Sequence, residues 1–300
     1  VNAPESVRFA LTIHYDGAPF HGWQLQPDAP TVQGELERVV AHMTGGTRIP
    51  VTGSGRTDRG VHATGQVAAL ELPPRWTSRE LRKGLNALLP RAIWIQEARR
   101  VPSSFHPRFD ARRRTYGYQV GTTPLARSPF LQPYCWSSDH LPPREDLLHA
   151  AAALLPGDRS WKPFAQAGQE ERGYRCQVLQ AAWSPWHGGG GERLGWHFQI
   201  TANRYLHHMV RYLVGTMMAV ARGHRPLEEL EALLEDPSTS LVTSPPAPPQ
   251  GLFLSRVEYD DGALGRDPDQ DPEPRSSPGA PPALPPTAPP STPSWHEAAP

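Results

Sequence analysis

The sequence predicts an α+β protein made of two successive β-α-β-β-α-β halves. Three observations carry that prediction. Apolar residues alternate with polar ones in short stretches, first at Val7, Phe9, Leu11, Ile13 and Tyr15. Between such stretches apolar residues recur at helical spacing, as at Val32, Leu36, Val39, Val40 and Met43. The same order of strands and helices then runs a second time. That order is the ferredoxin-like one, and it implies a mostly antiparallel central sheet.

The elements follow in chain order. Val7–Tyr15 is the first strand, and Asp16-Gly17 turns it. The first helix starts at the N-cap Thr31 and stops at Gly45-Gly46. A weak strand is expected at 49–52 and a firmer one at 67–72. Leu81, Leu85 and Leu88 mark a helix face behind the cap Ser78, and 93–99 is the next strand. In the second half, 115–120 is a strand and Leu147, Leu148, Ala151 and Leu155 mark a helix. Strands at 177–183 and 194–200 flank the glycine run 188–191. Leu206, Val210, Leu213, Val214 and Met217 mark a long helix, with a short one at 227–234. A proline-rich loop, 237–250, precedes the closing strand Leu252–Tyr259. The halves are therefore set at 1–105 and 106–260.

Residues 261–300 hold 12 of the 36 prolines and few large apolar residues. Such a segment cannot offset the entropy of ordering, so a disordered tail is expected. The formal net charge is zero, but the tail is acidic, and 28 basic against 24 acidic residues precede it. Only Lys83 and Lys162 are lysines. Arginine suits bidentate contact with phosphate, although codon bias produces the same excess. Cys135 and Cys176 lie far apart and outside any CxxC, against a disulfide framework or a cysteine zinc site. No apolar run reaches the roughly 18 residues of a membrane span. A soluble, cytoplasmic protein is expected.

The densest chemical signal is Gly53-Ser54-Gly55-Arg56-Thr57-Asp58-Arg59-Gly60-Val61-His62-Ala63. Its glycines permit a tight loop that presents Arg56 and Asp58. It is not a phosphate-binding Walker loop, because no Gly-Lys-Ser/Thr follows. Spacing alone is equally met by a turn in which Asp58 caps the backbone.

Gly55-Arg56-Thr57-Asp58, followed by Gly60-Val61-His62-Ala63, resembles the catalytic motif of the bacterial tRNA pseudouridine synthase A family. Further segments resemble it in the same order: Tyr15-Asp16-Gly17 with Gly22-Trp23-Gln24, Phe105-His106-Pro107-Arg108-Phe109, His207-His208-Met209-Val210-Arg211 with Gly215, and Gly251-Leu252-Phe253-Leu254. The resemblance covers about 8–259 and implies the pseudouridine synthase fold. It implies isomerisation of uridine to pseudouridine at positions 38, 39 and 40 of the tRNA anticodon stem-loop. No cofactor is implied. A homodimer is, with tRNA as partner.

The resemblance assigns Asp58 as nucleophile, Arg211 as its ion-pair partner, and Tyr116 as the active-site aromatic. A carboxylate can form an ester with an electrophilic carbon and leave again. An aromatic ring can stack on uracil, and a phenol can move a proton. Arg56 would hold the strand when the target base flips out. Leu252 and Leu254 would wall the uracil pocket, though a plain core role fits them almost as well. Phe105, His106, Pro107, Arg108 and Phe109 would contact RNA, as aromatic and basic residues do together. The segment 166–171 aligns with another tRNA-contact loop of the family. His207-His208 hints at a metal, with His62 or His21 completing it. Adjacent helical residues point about 100° apart, so no metal is expected. Two other classes stay open: an RNA-binding module without catalysis, and a hydrolase pairing Asp58 with Asp16 as second carboxylate.

Overall fold

A computed structural model describes residues 6–137, 143–166, 168 and 173–269. Ten strands form one sheet in the order β4-β1-β3-β10-β5-β9-β8-β7. In the first half these are β1 (Val7–Tyr15), β2 (Thr52–Gly53), β3 (His62–Leu72) and β4 (Ile93–Val101). In the second they are β5 (Ala111–Gly121), β6 (Trp136–Ser137), β7 (Gly157–Ser160), β8 (Arg175–His187), β9 (Arg193–Ala202) and β10 (Leu252–Tyr259). The short β2 pairs with β3, and β6 pairs with β5. All pairings among the long strands are antiparallel except one. β10 runs parallel to β3 through Phe253↔His62 and Leu254↔Ala63, and this pairing joins the halves.

The helices are α1 (Val32–Thr44), α2 (Ser78–Leu88), α3 (Glu145–Ala153), α4 (Met209–Ala221) and α5 (Leu227–Glu235). Thr31 caps α1 by accepting from Gly34 N–H, and Gly45 ends it in the left-handed conformation. The cap of α2 is Thr77, one residue before the expected Ser78. Thr77 and Glu80 form a reciprocal capping box there. Leu88, expected on the buried face of α2, is exposed, while Leu89 beyond the helix is buried. Strand β3 starts five residues earlier than expected, because the glycine-rich motif runs straight into the sheet.

Two large apolar clusters fill the core, and a smaller third one lies around Phe105. In the first, Phe9, Leu11 and Ile13 of β1 pack with Leu36 and Val40 of α1 and Leu81 and Leu85 of α2. In the second, Leu148 of α3, Leu213 and Met217 of α4 and Leu230 of α5 pack on Tyr118, Phe198 and Ile200. Tyr116 touches both clusters, so it stands on the seam between the halves.

Residues 261–269, expected to lack structure, pack on the first half. The Ser78 hydroxyl donates to Asp267 at 2.9 Å and the Ser78 N–H to Asp269 at 2.9 Å. Asp269 also pairs with Arg100 at 2.9 Å. Two carboxylates at the N-terminus of α2 are well placed against its dipole. The remainder of the tail assignment, 270–300, lies outside the described residues, as do 167 and 169–171 of the expected RNA-contact loop.

Candidate active site

The loop between β2 and β3 presents Asp58. It is pinned from several sides. Ser54 donates its hydroxyl to Gln66 at 2.7 Å, and the Gln66 amide donates to Gly55 O at 3.0 Å. Val61 N–H returns to Asp58 O at 3.1 Å, closing a turn in which Gly60 has φ 76°. That φ is costly for a residue with a side chain. The loop after β1 lies directly on this turn. A Cβ at Gly17 would sit 2.1 Å from Val61 O, so only glycine allows the approach. Trp23 N–H donates to Thr57 O at 3.1 Å. The Tyr15 phenol and the Thr57 hydroxyl share a buried 2.7 Å hydrogen bond. The Tyr15-Asp16-Gly17 and Gly22-Trp23 segments thus serve as the bed of the Asp58 loop.

The partners of Asp58 come from the second half, His207 and His208 between β9 and α4 and Arg211 in the first turn of α4. His207 Nε2 lies 3.1 Å from Asp58 Oδ1, and His208 Nε2 lies 3.3 Å from Oδ2. Arg211 Nη1 is farther, 3.9 Å from Oδ2. The Arg211 side chain is 13% exposed, and its Nε donates to Ala247 O at 2.7 Å. Arg211 therefore supplies a fixed positive charge, while the two imidazoles make the closer contacts. The sequence reading missed both as neighbours of Asp58. It assumed that they share one helix, but α4 starts at Met209. His208 precedes it with φ 63°, the only positive φ outside glycine among the described residues. This backbone turns both rings toward one point, with centroids 4.1 Å apart. Burial holds His208 below the usual imidazole range; Asp58 opposes that shift, and the neighbouring His207 and Arg211 charges add to it.

Tyr116 lies in β5, opposite Leu254 on one side and Ile200 on the other. Its ring meets Tyr205 edge-on at 4.9 Å. The Tyr205 hydroxyl donates toward Arg114 O and Ile200 O, at 3.0 and 2.8 Å, and so braces that ring. Burial, and then the Asp58 charge, push the Tyr116 phenol well above its ordinary range, so it stays protonated. Tyr118, two residues on, is fully buried and donates to Pro248 O at 2.7 Å. It anchors the proline-rich loop. Leu252 and Leu254 are 5% and 1% exposed, one in each core cluster. Arg56 projects from the Asp58 loop and is exposed.

The segment expected to touch RNA divides in two. Phe105 is 2% exposed and packs with Ala10, Val67, Ala69 and Val101, meeting the Tyr259 ring at 5.1 Å. Pro107 is buried too, and its carbonyl accepts from Tyr259 Oη at 2.7 Å. Neither side chain is placed to contact RNA. His106 folds the turn: its Nδ1 accepts from Arg108 N–H and Phe109 N–H at 3.1 and 3.2 Å. Arg108 and Phe109 remain exposed, Phe109 by 76%. Asp16, the second carboxylate a hydrolase would need, accepts from Ala18 N–H at 2.9 Å and contacts His62 Nδ1 at 3.2 Å. It closes its own turn beside His62.

Comparison with known proteins bears on this site. The family described as "tRNA pseudouridine synthase" matches residues 11–110 and 151–260. A tRNA pseudouridine synthase A of Solibacter usitatus is 38% identical over 252 residues, 84% of this chain and 99% of that protein. One of Neisseria gonorrhoeae is 36% identical, across 88% of this chain and 96% of its own length. One of a Geobacillus species is 36% identical, across 85% of this chain and all of its own. Among the described residues no helix is long and apolar enough to cross a membrane.

Proposed function

The chain belongs to the tRNA pseudouridine synthase family, and from that premise we propose that it isomerises uridine 38, 39 or 40 in the anticodon stem-loop of tRNA, with Asp58 as the reacting carboxylate. The observation that carries this reading is the position of Asp58. It lies on the seam of the halves, held by His207, His208 and Arg211. The enzyme is an isomerase: the C1′–N1 bond breaks, uracil rotates and a C1′–C5 bond forms. The net change moves the C5 proton to N1.

Asp58 attacks C1′, or takes a sugar proton on a glycal route; both use the carboxylate as an anion, and it faces the Arg211 cation at 3.9 Å. Tyr116, kept protonated, stacks on the uracil and relays a proton at C5 in the last step. Arg56 enters the space left by the flipped base. Leu252 and Leu254 bound the base from beneath. His106, Arg108 and Phe109 meet the RNA at its rim. The strand orders β4-β1-β3-β2 and β10-β5-β9-β8 are those of two ferredoxin-like units, which supports reading 1–105 and 106–260 as duplicated halves. We further place the enzyme in the cytoplasm, as a cofactor-free homodimer whose subunits share one tRNA.

The test is tritium release from tRNA transcribed with 5-tritiated uridine. The unmodified chain releases tritium, and Asp58→Ala releases none while still binding tRNA. Release by Asp58→Ala at the normal rate would refute the assignment. Free uracil in place of pseudouridine would favour the hydrolase.

A further inference from the structure

With Asp58 as the reacting group, His207 and His208 position its carboxylate but have no chemical step of their own. Both bring Nε2 to its carboxylate, at 3.1 and 3.3 Å. The three side chains offer ligand atoms that all lie within 4.8 Å of one another. A tetrahedral ion about 2.0–2.1 Å from nitrogen and oxygen ligands sets neighbouring ligands about 3.3 Å apart. Each histidine lies near that spacing from one carboxylate oxygen, His207 from Oδ1 and His208 from Oδ2, so an ion between them draws on both sides of the carboxylate. His208 reaches it only through a left-handed backbone that residues with side chains seldom adopt.

The donor set is also selective. Two imidazoles and one carboxylate suit Zn²⁺ and its transition-metal neighbours, whereas Mg²⁺ and Ca²⁺ prefer all-oxygen shells. Three protein ligands leave a fourth position for water. The His207 side chain is 48% exposed, so an ion reaches the group from solvent. Arg211, 3.9 Å from Oδ2, opposes a second cation. The site therefore fills when the free ion is abundant and is not a permanent metal centre.

We propose that Asp58, His207 and His208 form an inhibitory site for Zn²⁺ or a similar divalent transition ion, which withdraws the carboxylate from reaction. The proposal rests on Asp58 being the reacting carboxylate. It predicts that metal and tRNA exclude each other. Binding should weaken in acid, because each imidazole must be neutral to ligate.

The experiment titrates Zn²⁺ into the untagged full chain by calorimetry, beside His207→Ala and His208→Asn. Asparagine tolerates the left-handed backbone, and thermal unfolding confirms that each variant is folded. One equivalent is expected to bind, at least tenfold more weakly in each variant, with no response to Mg²⁺. Co²⁺ should give the visible absorption of a tetrahedral site. Tritium release should fall in step with Zn²⁺ occupancy, and the variants should need at least tenfold more ion for the same inhibition. Absent stoichiometric binding, or equal affinity in both variants, would overturn the site. Binding without loss of turnover would overturn its inhibitory role. A chain that releases no tritium even without Zn²⁺ would defeat the reading of Asp58, while calorimetry still judged the metal site by itself.

Discussion

Tyr15 and Thr57 share a hydrogen bond of 2.7 Å, formed at the end of the first strand and one residue before Asp58. Both residues are buried, so replacing Tyr15 by phenylalanine takes a partner from the Thr57 hydroxyl in the interior. Tyr15→Phe is expected to cost about 1–3 kcal/mol of stability. It should also slow turnover more than it weakens tRNA binding, because it loosens the Asp58 loop. Chemical denaturation and single-turnover kinetics check this. Unchanged values in both would show that the loop is held without Tyr15.

Phe105 and Phe109 lie four residues apart and should behave as different kinds of residue. Phe105→Ala opens a cavity in the core and should cost about 3–5 kcal/mol. Phe109→Ala should leave the unfolding midpoint unchanged and remove about 1–3 kcal/mol of tRNA affinity, the usual worth of a base stacked on an aromatic ring. Equal destabilisation by the two substitutions would contradict the division of this segment.

Acid should destabilise the fold through its buried histidines. Burial holds His62 and His197 below the ordinary imidazole range, with Asp16 opposing the shift at His62. A folded-state value below the unfolded one means that the unfolded chain takes up protons first as pH falls. Stability is therefore full above about pH 6.5 and declines below it. Urea midpoints at pH 7.5 and pH 5.5 should differ, and His62→Gln should narrow the gap. An identical midpoint at both pH values would refute this.

Two truncations locate the end of the fold. A chain ending at Asp269 should keep its thermal midpoint and its turnover. A chain ending at Asp260 loses the carboxylates on Ser78 and Arg100, a loss of about 1–3 kcal/mol. Equal midpoints for the two would mean that 261–269 contributes nothing to stability.

The long elements were legible in the sequence because periodicity reports burial. β1 and β10 begin and end where alternation places them, and α1 where Thr31 and Gly45 place it. β2, expected at 49–52, lies at Thr52–Gly53, and β7 was not read, since strands of two to four residues carry no measurable period. The start of β3 was hidden because glycine, threonine and histidine there read as loop. The family resemblance picked out Asp58, Tyr116 and Arg211; the structure sets Tyr116 between the two large clusters and Arg211 3.9 Å from Asp58. The approach of His207 and His208 to Asp58 was not legible. It depends on one backbone angle at His208, which no periodicity encodes. Nor could spacing tell Phe105 from Phe109. The turn closed by His106 and Asp110 sends one ring inward and the other outward.

The last of the described strands, β10, occupies the middle of the sheet, between β3 and β5. Synthesis runs from the other end. While a ribosome is still adding residues 237–251, both large core clusters lack a member, because Leu252 belongs to one and Leu254 to the other. Asp58 and Arg211 belong to different halves, and the β3–β10 strand pairing between those halves forms only once Leu252–Tyr259 has emerged. A chain ending before Leu252 is therefore expected to release no tritium, so that translation times when the two sides of the candidate site come together.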